Sequence, residues 1–217
     1  MGVNKNISSL NILIADHYAI VRKGLIQLLR EEFPSAQITE AQNSMEAYEK
    51  VGSKAWDIII LDMSMPGRNG LDILKQLKAR GIKGPMLMLS MHSDEQYAIR
   101  ALKAGASGFL NKDSATEEFI VAIHKVLRGR KYVSAALAEK LAEGAGKSYD
   151  NPPHELLSDR EMQVLQYIAN GKTVSEIATE ISLSVNTIST YRTRILEKLD
   201  LNNNAGITRY ALDNGLV

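Results

Sequence analysis

Four residues of this chain have the types and the placement to do phosphate chemistry. Asp62 ends the apolar run Ile58-Ile59-Ile60-Leu61 and precedes Met63-Ser64-Met65-Pro66-Gly67. Asp16 follows Ile12-Leu13-Ile14-Ala15, Ser90 follows Met86-Leu87-Met88-Leu89, and Lys112 follows Gly108-Phe109-Leu110-Asn111. In a parallel sheet all four gather along one edge, at the carboxyl ends of the strands, where open α/β sheets bind their ligands. A single strand-end Asp is often a plain turn residue, but polar groups at the ends of four strands are harder to explain that way. A carboxylate can accept a phosphoryl group to give an acyl phosphate. A divalent cation held by one or two carboxylates helps by neutralising phosphoryl oxygens. A hydroxyl and an ammonium can bind the oxygens that remain.

The elements that must position these groups are legible as a pattern. Apolar runs at 10–15, 37–41, 58–61, 86–90 and 108–110 alternate with amphipathic segments at 19–32, 44–52, 69–80, 94–104 and 114–128. Val21, Leu25, Leu28 and Leu29 follow helical spacing, as do Ile120, Ile123 and Leu127. Alternating strands and helices predict an α/β domain, a parallel sheet with helices on both faces and right-handed crossovers. Residues 133–142 read as a short helix, and the Gly-, Pro- and polar-rich stretch 143–153 has linker composition.

Beyond the linker only helical patterns follow. Ser158-Asp159-Arg160-Glu161 and Thr173-Val174-Ser175-Glu176 are capping boxes. The first opens a helix with Val164, Leu165, Ile168 and Ala169 on its apolar stripe, ended by Gly171; the second opens a short helix through Ile177, Ala178 and Ile181. Ser184 caps a third helix carrying Val185, Ile188, Ile195 and Leu199, and a fourth runs from about Ala205 to Asp213.

Residues 10–130 resemble the receiver domain of two-component response regulators. The motifs are Ile14-Ala15-Asp16, Leu61-Asp62-Met63-Ser64-Met65-Pro66-Gly67, Leu89-Ser90-Met91-His92 and the run Ala104 to Lys112, in order and at the right spacing. The resemblance implies a flavodoxin-like five-stranded parallel sheet. It makes Asp62 the phosphoacceptor, and Asp16, Asp62 and the backbone carbonyl of Ser64 the magnesium ligands. Ser90 would bond the phosphoryl group, Lys112 would pair with it, and Phe109 stands where an aromatic changes rotamer on activation. One position departs from the pattern: receivers usually carry two consecutive acids after the first strand, and here the pair is Asp16-His17. Magnesium prefers oxygen, so weaker metal affinity and slower phosphorylation are expected.

Residues 154–217 resemble the LuxR-type helix-turn-helix module, on Leu157-Ser158-Asp159-Arg160-Glu161, Val164-Leu165, Ala169-Asn170-Gly171-Lys172, Glu176-Ile177-Ala178, Ile181-Ser182-Leu183-Ser184, Thr187-Ile188, Ile195 and Lys198-Leu199. Together the two resemblances place the chain in the NarL/FixJ group, with 131–153 as helix and linker between the domains. The third helix would enter the major groove. Ser189, Thr190 and Thr193 match base-facing positions, and Asn186, Thr187, Tyr191, Arg192, Arg194 and Lys198 are candidate phosphate or mixed contacts. Ser189 departs from the Lys common at its position. From residue 151 on, acids at 155, 159, 161, 176, 180, 197, 200 and 213 outnumber bases at 160, 172, 192, 194, 198 and 209. Binding is therefore expected to be modest per monomer and to gain from dimerisation.

Composition excludes some classes. The net charge of +1 announces no global nucleic-acid field, zero cysteines rule out disulfides and thiolate metal sites, and no apolar run reaches a membrane span of about 18 residues. No apolar signal core follows the first residues, so a cytoplasmic protein is expected. His92 and His124 read as structural or surface groups, Tyr97 and Trp56 as packing residues, and Met63, Met65, Met86, Met88 and Met91 as sheet and edge filling. The resulting expectation is a transcription factor switched by phosphoryl transfer from a sensor histidine kinase to Asp62, binding double-stranded DNA as a homodimer. A second reading, a phosphorylation-independent DNA-binding protein with a degenerate metal site, rests on His17. An aspartate-nucleophile phosphohydrolase is disfavoured because Ser64 stands where such enzymes carry a second Asp, and no cap insertion encloses a substrate.

Overall fold

The run Ile58–Asp62 is buried at every residue, as a central strand of a parallel sheet covered on both faces must be. The computed structural model describes residues 10–65, 68–91, 95–114, 116–144 and 152–217. Pro66, Gly67, His92 and most of the expected linker lie outside them. Ten elements alternate in order: β1 (Asn11–Ala15), α1 (Ala19–Glu32), β2 (Gln37–Ala41), α2 (Ser44–Val51), β3 (Ile58–Asp62), α3 (Gly70–Ala79), β4 (Met86–Ser90), α4 (Glu95–Lys103), β5 (Gly108–Asn111) and α5 (Thr116–Leu127). The sheet is parallel and five-stranded, in the order β2-β1-β3-β4-β5. Its switch point lies between β1 and β3, the position at which this topology opens a ligand crevice.

Register brings the strand ends level. Ala15 pairs with Leu61, Asp62 with Leu89, and Ser90 with Asn111. Asp16, Asp62, Ser90 and Lys112 therefore end up along one edge. Ile12, Ile14, Ile58, Ile60, Leu87 and Leu89 form one face of the core with Phe119, Ile123 and Val126 of α5.

The buried faces of two helices are rotated from the sequence reading. In α1 the buried residues are Arg22, Ile26 and Leu29, with Leu25 and Leu28 only partly covered. In α5 they are Phe119, Ala122, Ile123 and Val126, with Ile120 and Leu127 at the margin. Both stripes are wide enough that spacing alone leaves the centre free by about one position. Trp56 is buried and donates its ring N–H to the Val51 carbonyl at 3.1 Å, locking the start of β3 to the end of α2.

Contacts divide the chain into two compact units between Ala138 and Glu139, within α6 (Ala135–Gly144). The first unit continues past α5, because Tyr132 makes a parallel bridge to Gly108 beside β5. In the second unit a short 3-10 turn, Pro153–Leu156, precedes α7 (Asp159–Ala169), α8 (Val174–Glu180), α9 (Val185–Leu199) and α10 (Asn204–Asp213). Both capping boxes form as their sequences require, at Ser158 with Glu161 and at Thr173 with Glu176. Ser184 caps α9 by accepting from the Thr187 N–H. The turn before α9 passes through Ser182 at φ 55°, a left-handed conformation without the glycine that usually eases it.

Candidate functional site

Asp16 and Asp62 are both fully buried at the sheet edge. Each is oriented by its own backbone: the Tyr18 N–H donates to Asp16 Oδ1 at 2.8 Å, and the Ser64 N–H donates to Asp62 Oδ1 at 3.1 Å. Such side-chain-to-backbone turns hold short carboxylates in one rotamer. Lys112 follows β5, and its own N–H donates to the Ser90 carbonyl at 2.7 Å. Its ammonium lies 2.6 Å from Asp16 Oδ2 and 2.9 Å from Asp62 Oδ1, with only 3% of the side chain exposed. One ammonium thus pairs with both carboxylates at charge-assisted contact distance.

His17 closes the remaining side. Its Nδ1 lies 2.8 Å from Asp62 Oδ2. With Asp62 ionised, the shared proton sits on the imidazole. The ring leans on Tyr18 with centroids 3.8 Å apart. Burial pushes the Asp62 carboxyl up, but the His17 hydrogen bond, the Lys112 charge and the Ser64 N–H together outweigh it and hold the group below the usual carboxylate range. Asp16 goes the other way: burial and the neighbouring Asp62 charge raise it more than Lys112 and the Tyr18 N–H lower it. The two carboxyls are thus driven apart, Asp62 below and Asp16 above the ordinary carboxylate value.

Asp16, His17 and Asp62 each offer a donor atom, and these atoms lie within 4.8 Å of one another. This cluster could hold a metal. Ser90, at the end of β4, is 1% exposed, and Phe109, on β5 opposite Met88, is 5% exposed. Ser64 is half-buried beside Asp62.

Two residues that support the site were missed in the sequence. Arg22, buried on α1, donates from Nη1 to the Asp16 carbonyl at 2.7 Å and from Nε to Glu40 at 2.8 Å. Its signal was a cation on the buried stripe with Ile26 and Leu29, visible only once the stripe is centred correctly. Gly70, opening α3, brings its backbone against Asp62. A Cβ there would overlap the Asp62 carbonyl and lie 3.0 Å from Met63 Cα, and the Gly70 N–H donates to the Met63 carbonyl at 2.9 Å. Buried Asn69 caps α3 by accepting from the Asp72 N–H at 2.7 Å.

In the second unit, α9 buries Ile188, Ile195 and Leu199 and leaves Asn186, Ser189, Thr190, Thr193 and Arg194 exposed. Thr187, Tyr191 and Arg192 are half-buried. Thr190 and Thr193 donate their hydroxyls back to the carbonyls of Asn186 and Ser189, so their oxygens face outward as acceptors. The Arg192 guanidinium is braced by Asn204 at the start of α10. Lys198, a candidate phosphate or mixed contact, is exposed on α9. Its ammonium turns inward to Glu161 Oε2 at 2.7 Å and the Leu156 carbonyl at 3.1 Å, because a buried carboxylate there offers a stronger partner than solvent. Burial raises Glu161, but Lys198 and the Ser158 cap bring it below the usual range.

His124 pairs with Glu32 at 2.7 Å on the surface, in keeping with a structural role. No helix among the described residues is long and apolar enough to cross a membrane.

Two family models match the chain: the response regulator receiver domain over residues 12–124, and the bacterial regulatory proteins of the luxR family over residues 155–211. The chain is similar to the oxygen regulatory protein NreC of Staphylococcus epidermidis, 33% identical over 216 residues that cover 96% of this chain and 99% of the relative. It is also similar to response regulator UvrY of Escherichia coli K12, 29% identical over 208 residues and 95% of each chain. Among solved structures, RcsB of Salmonella enterica serovar Typhimurium, bound to promoter rprA in the presence of the phosphomimetic BeF3-, is 25% identical with a TM-score of 0.64, covering 93% of this chain and 98% of that one.

Proposed function

The chain belongs to the response regulators that join a receiver domain to a LuxR-family regulatory domain, and on that premise we propose that Asp62 is the phosphoacceptor through which its DNA binding is set. The protein is a two-component response regulator and a DNA-binding transcription regulator. The observation that carries the proposal is the buried, ionised Asp62 carboxylate with the Lys112 ammonium at 2.9 Å and Asp16 beside it.

In this reading an Asp62 oxygen attacks the phosphorus of a phosphohistidine on the sensor kinase. The O–P bond forms, the P–N bond breaks, and the kinase imidazole takes up a proton. The Lys112 ammonium is positioned to pair with phosphoryl oxygens, and the Ser90 hydroxyl to bond one of them. Phe109, buried on β5, answers the change at Ser90 by moving its ring. Asp16, Asp62 and the Ser64 carbonyl are oxygen donors of the kind magnesium takes, with Asp16 Oδ2 now paired with the Lys112 ammonium at 2.6 Å. When bound, magnesium would neutralise phosphoryl oxygens. The receiver spans 10–130, the helix and linker 131–153, and the DNA-binding domain 154–217.

The acceptor face of α9, with Ser189, Thr190 and Thr193 toward bases and Asn186, Thr187, Arg192 and Arg194 toward phosphates, enters the major groove. Two copies occupy half-sites about one helical turn apart. The protein acts in the cytoplasm and turns over no substrate beyond its own dephosphorylation.

The test treats the full chain with acetyl phosphate and magnesium and measures its mass, alongside DNA binding and oligomeric state with and without beryllofluoride. We expect one added phosphoryl group, lost in Asp62→Asn, and tighter DNA binding as a dimer. An unmodified chain at saturating acetyl phosphate would overturn the assignment of Asp62.

A further inference from the structure

The donor set beside Asp62 is not all oxygen. We propose that Asp16, His17 and Asp62 form a mixed nitrogen–oxygen site that selects a divalent first-row transition ion over magnesium, with His17 Nδ1 as the selecting ligand. This rests on reading the cluster as the receiver's cation site and adds which cation it takes.

The geometry already suits a metal. Two ligands bound cis at about 2.1 Å lie about 3 Å apart. His17 Nδ1 and Asp62 Oδ2 are 2.8 Å apart, so a metal can replace the proton between them with little movement of either group. The proton then resides on Nε2 of the neutral ring. The imidazole is held in advance, with its side chain 18% exposed and its ring tilted at 43° against Tyr18. Asp16 contributes Oδ2, buried and, among the described residues, paired with the Lys112 ammonium at 2.6 Å.

Charge favours the same choice. Lys112 contacts both carboxylates, so one net negative charge remains when His17 is neutral. Magnesium dehydrates reluctantly and depends on oxygen ligands. Manganese, cobalt, nickel and zinc accept imidazole and gain along the Irving–Williams order. A site of low net charge with a fixed nitrogen therefore weakens magnesium more than it weakens these ions.

The test uses the full chain with magnesium or cobalt chloride, measuring affinities by calorimetry for wild type, His17→Asp and His17→Ala. Electron spin echo spectroscopy of bound manganese reads nitrogen coupling directly. Oxygen-only sites also bind cobalt more tightly than magnesium, so the readout is the change in the cobalt-to-magnesium ratio. We expect that ratio to fall about 10-fold or more in His17→Asp. In His17→Ala cobalt binding should weaken about 10-fold while magnesium binding changes little. Nitrogen coupling should be present in wild type and absent from both variants. An unchanged ratio, parallel losses for both ions in His17→Ala, or absence of nitrogen coupling in wild type would overturn the proposal. Failure of Asp62 as phosphoacceptor would appear instead as an unmodified mass, with the metal ratios unaffected.

Discussion

Removing the Lys112 ammonium should expose how much of the receiver's stability depends on the neutrality of its site. In Lys112→Met the side chain keeps its length, but Asp16 and Asp62 face each other fully buried without their shared cation. Breaking a buried ion pair by deleting one partner costs about 3–5 kcal/mol, and here a single deletion leaves two carboxylates exposed to each other. For a unit of this size that corresponds to a melting temperature lower by about 10–20 °C. The chain's single tryptophan is Trp56, buried in the first unit, so its fluorescence follows that unit's unfolding without signal from the second.

The pH dependence supplies the sharper test. In the variant both carboxyls lose the Lys112 charge that now lowers them. Their folded pKa values rise, the folded state binds more protons than the unfolded one, and stability falls as pH rises from about 4. In wild type Asp62 runs opposite: its folded pKa lies below 3.8, so its contribution is full above that value and is lost as pH falls through the folded one. The gap between wild type and variant should therefore be wider at about pH 8 than at about pH 5. Excess magnesium chloride should restore part of the variant's stability by replacing the missing positive charge. A deficit below about 1 kcal/mol, or one equal at both pH values, would refute the claim that Lys112 neutralises a charged buried pair.

Gly70→Ala should displace the β3–α3 loop, because its Cβ meets the Asp62 carbonyl. We expect a loss of about 1–3 kcal/mol by Trp56-monitored denaturation, together with slower modification by acetyl phosphate. Ser182→Gly relieves a left-handed residue of about 1–2 kcal/mol at an entropic cost of about 0.4–1, so the second unit should gain between about 0 and 1.6 kcal/mol by circular dichroism with DNA affinity unchanged. Arg194→Ala should lower the salt dependence of DNA binding by about 0.9 in log–log slope, the signature of one lost phosphate contact. Lys198→Met should instead leave that slope in place and weaken the second unit's stability, since its ammonium is engaged by Glu161; a slope change equal to that of Arg194→Ala would show that the inward tie breaks on DNA.

Most of this architecture follows from periodicity. A strand in a parallel sheet must be apolar on both faces, so the runs ending at Asp16, Asp62, Ser90 and Asn111–Lys112 announced both the strands and their shared edge. The capping boxes at Ser158 and Thr173 were equally plain, because they satisfy backbone donors within four residues. What escaped were partnerships made across the fold. Arg22 finds Asp16 and Glu40, Lys198 finds Glu161, and His17 finds Asp62 only after distant segments meet. Long side chains choose among several partners within reach, and no local pattern encodes which one wins. Gly70 is a related case: its need for no side chain comes from Asp62, eight positions earlier in the chain.

The arrangement around Asp62 also constrains how a phosphoryl group can act. On the proposed assignment, phosphorylation would add about one negative charge where Asp62 is fully buried. A phosphoryl group carried on Oδ2 would take the place now held by His17, and its oxygens would share or capture the Lys112 ammonium that also serves Asp16. Moving a two-state population from 1:99 to 99:1 needs about 5.5 kcal/mol of differential interaction. Hydrogen bonds to charged groups contribute about 1.5–3 kcal/mol each. Two or three contacts formed in one state alone approach that figure; Ser90 ends β4 and Lys112 follows β5, and the Lys112 ammonium, already 2.9 Å from Asp62, adds only what it gains on moving. The His17–Asp62 bond is a contact of the unmodified state and counts against the switch by a similar amount. His17→Ala should therefore raise the fraction of active dimer at a given degree of phosphorylation, measured by light scattering against the phosphorylated fraction from mass spectrometry. An unchanged curve would mean that His17 governs the metal but not the switch.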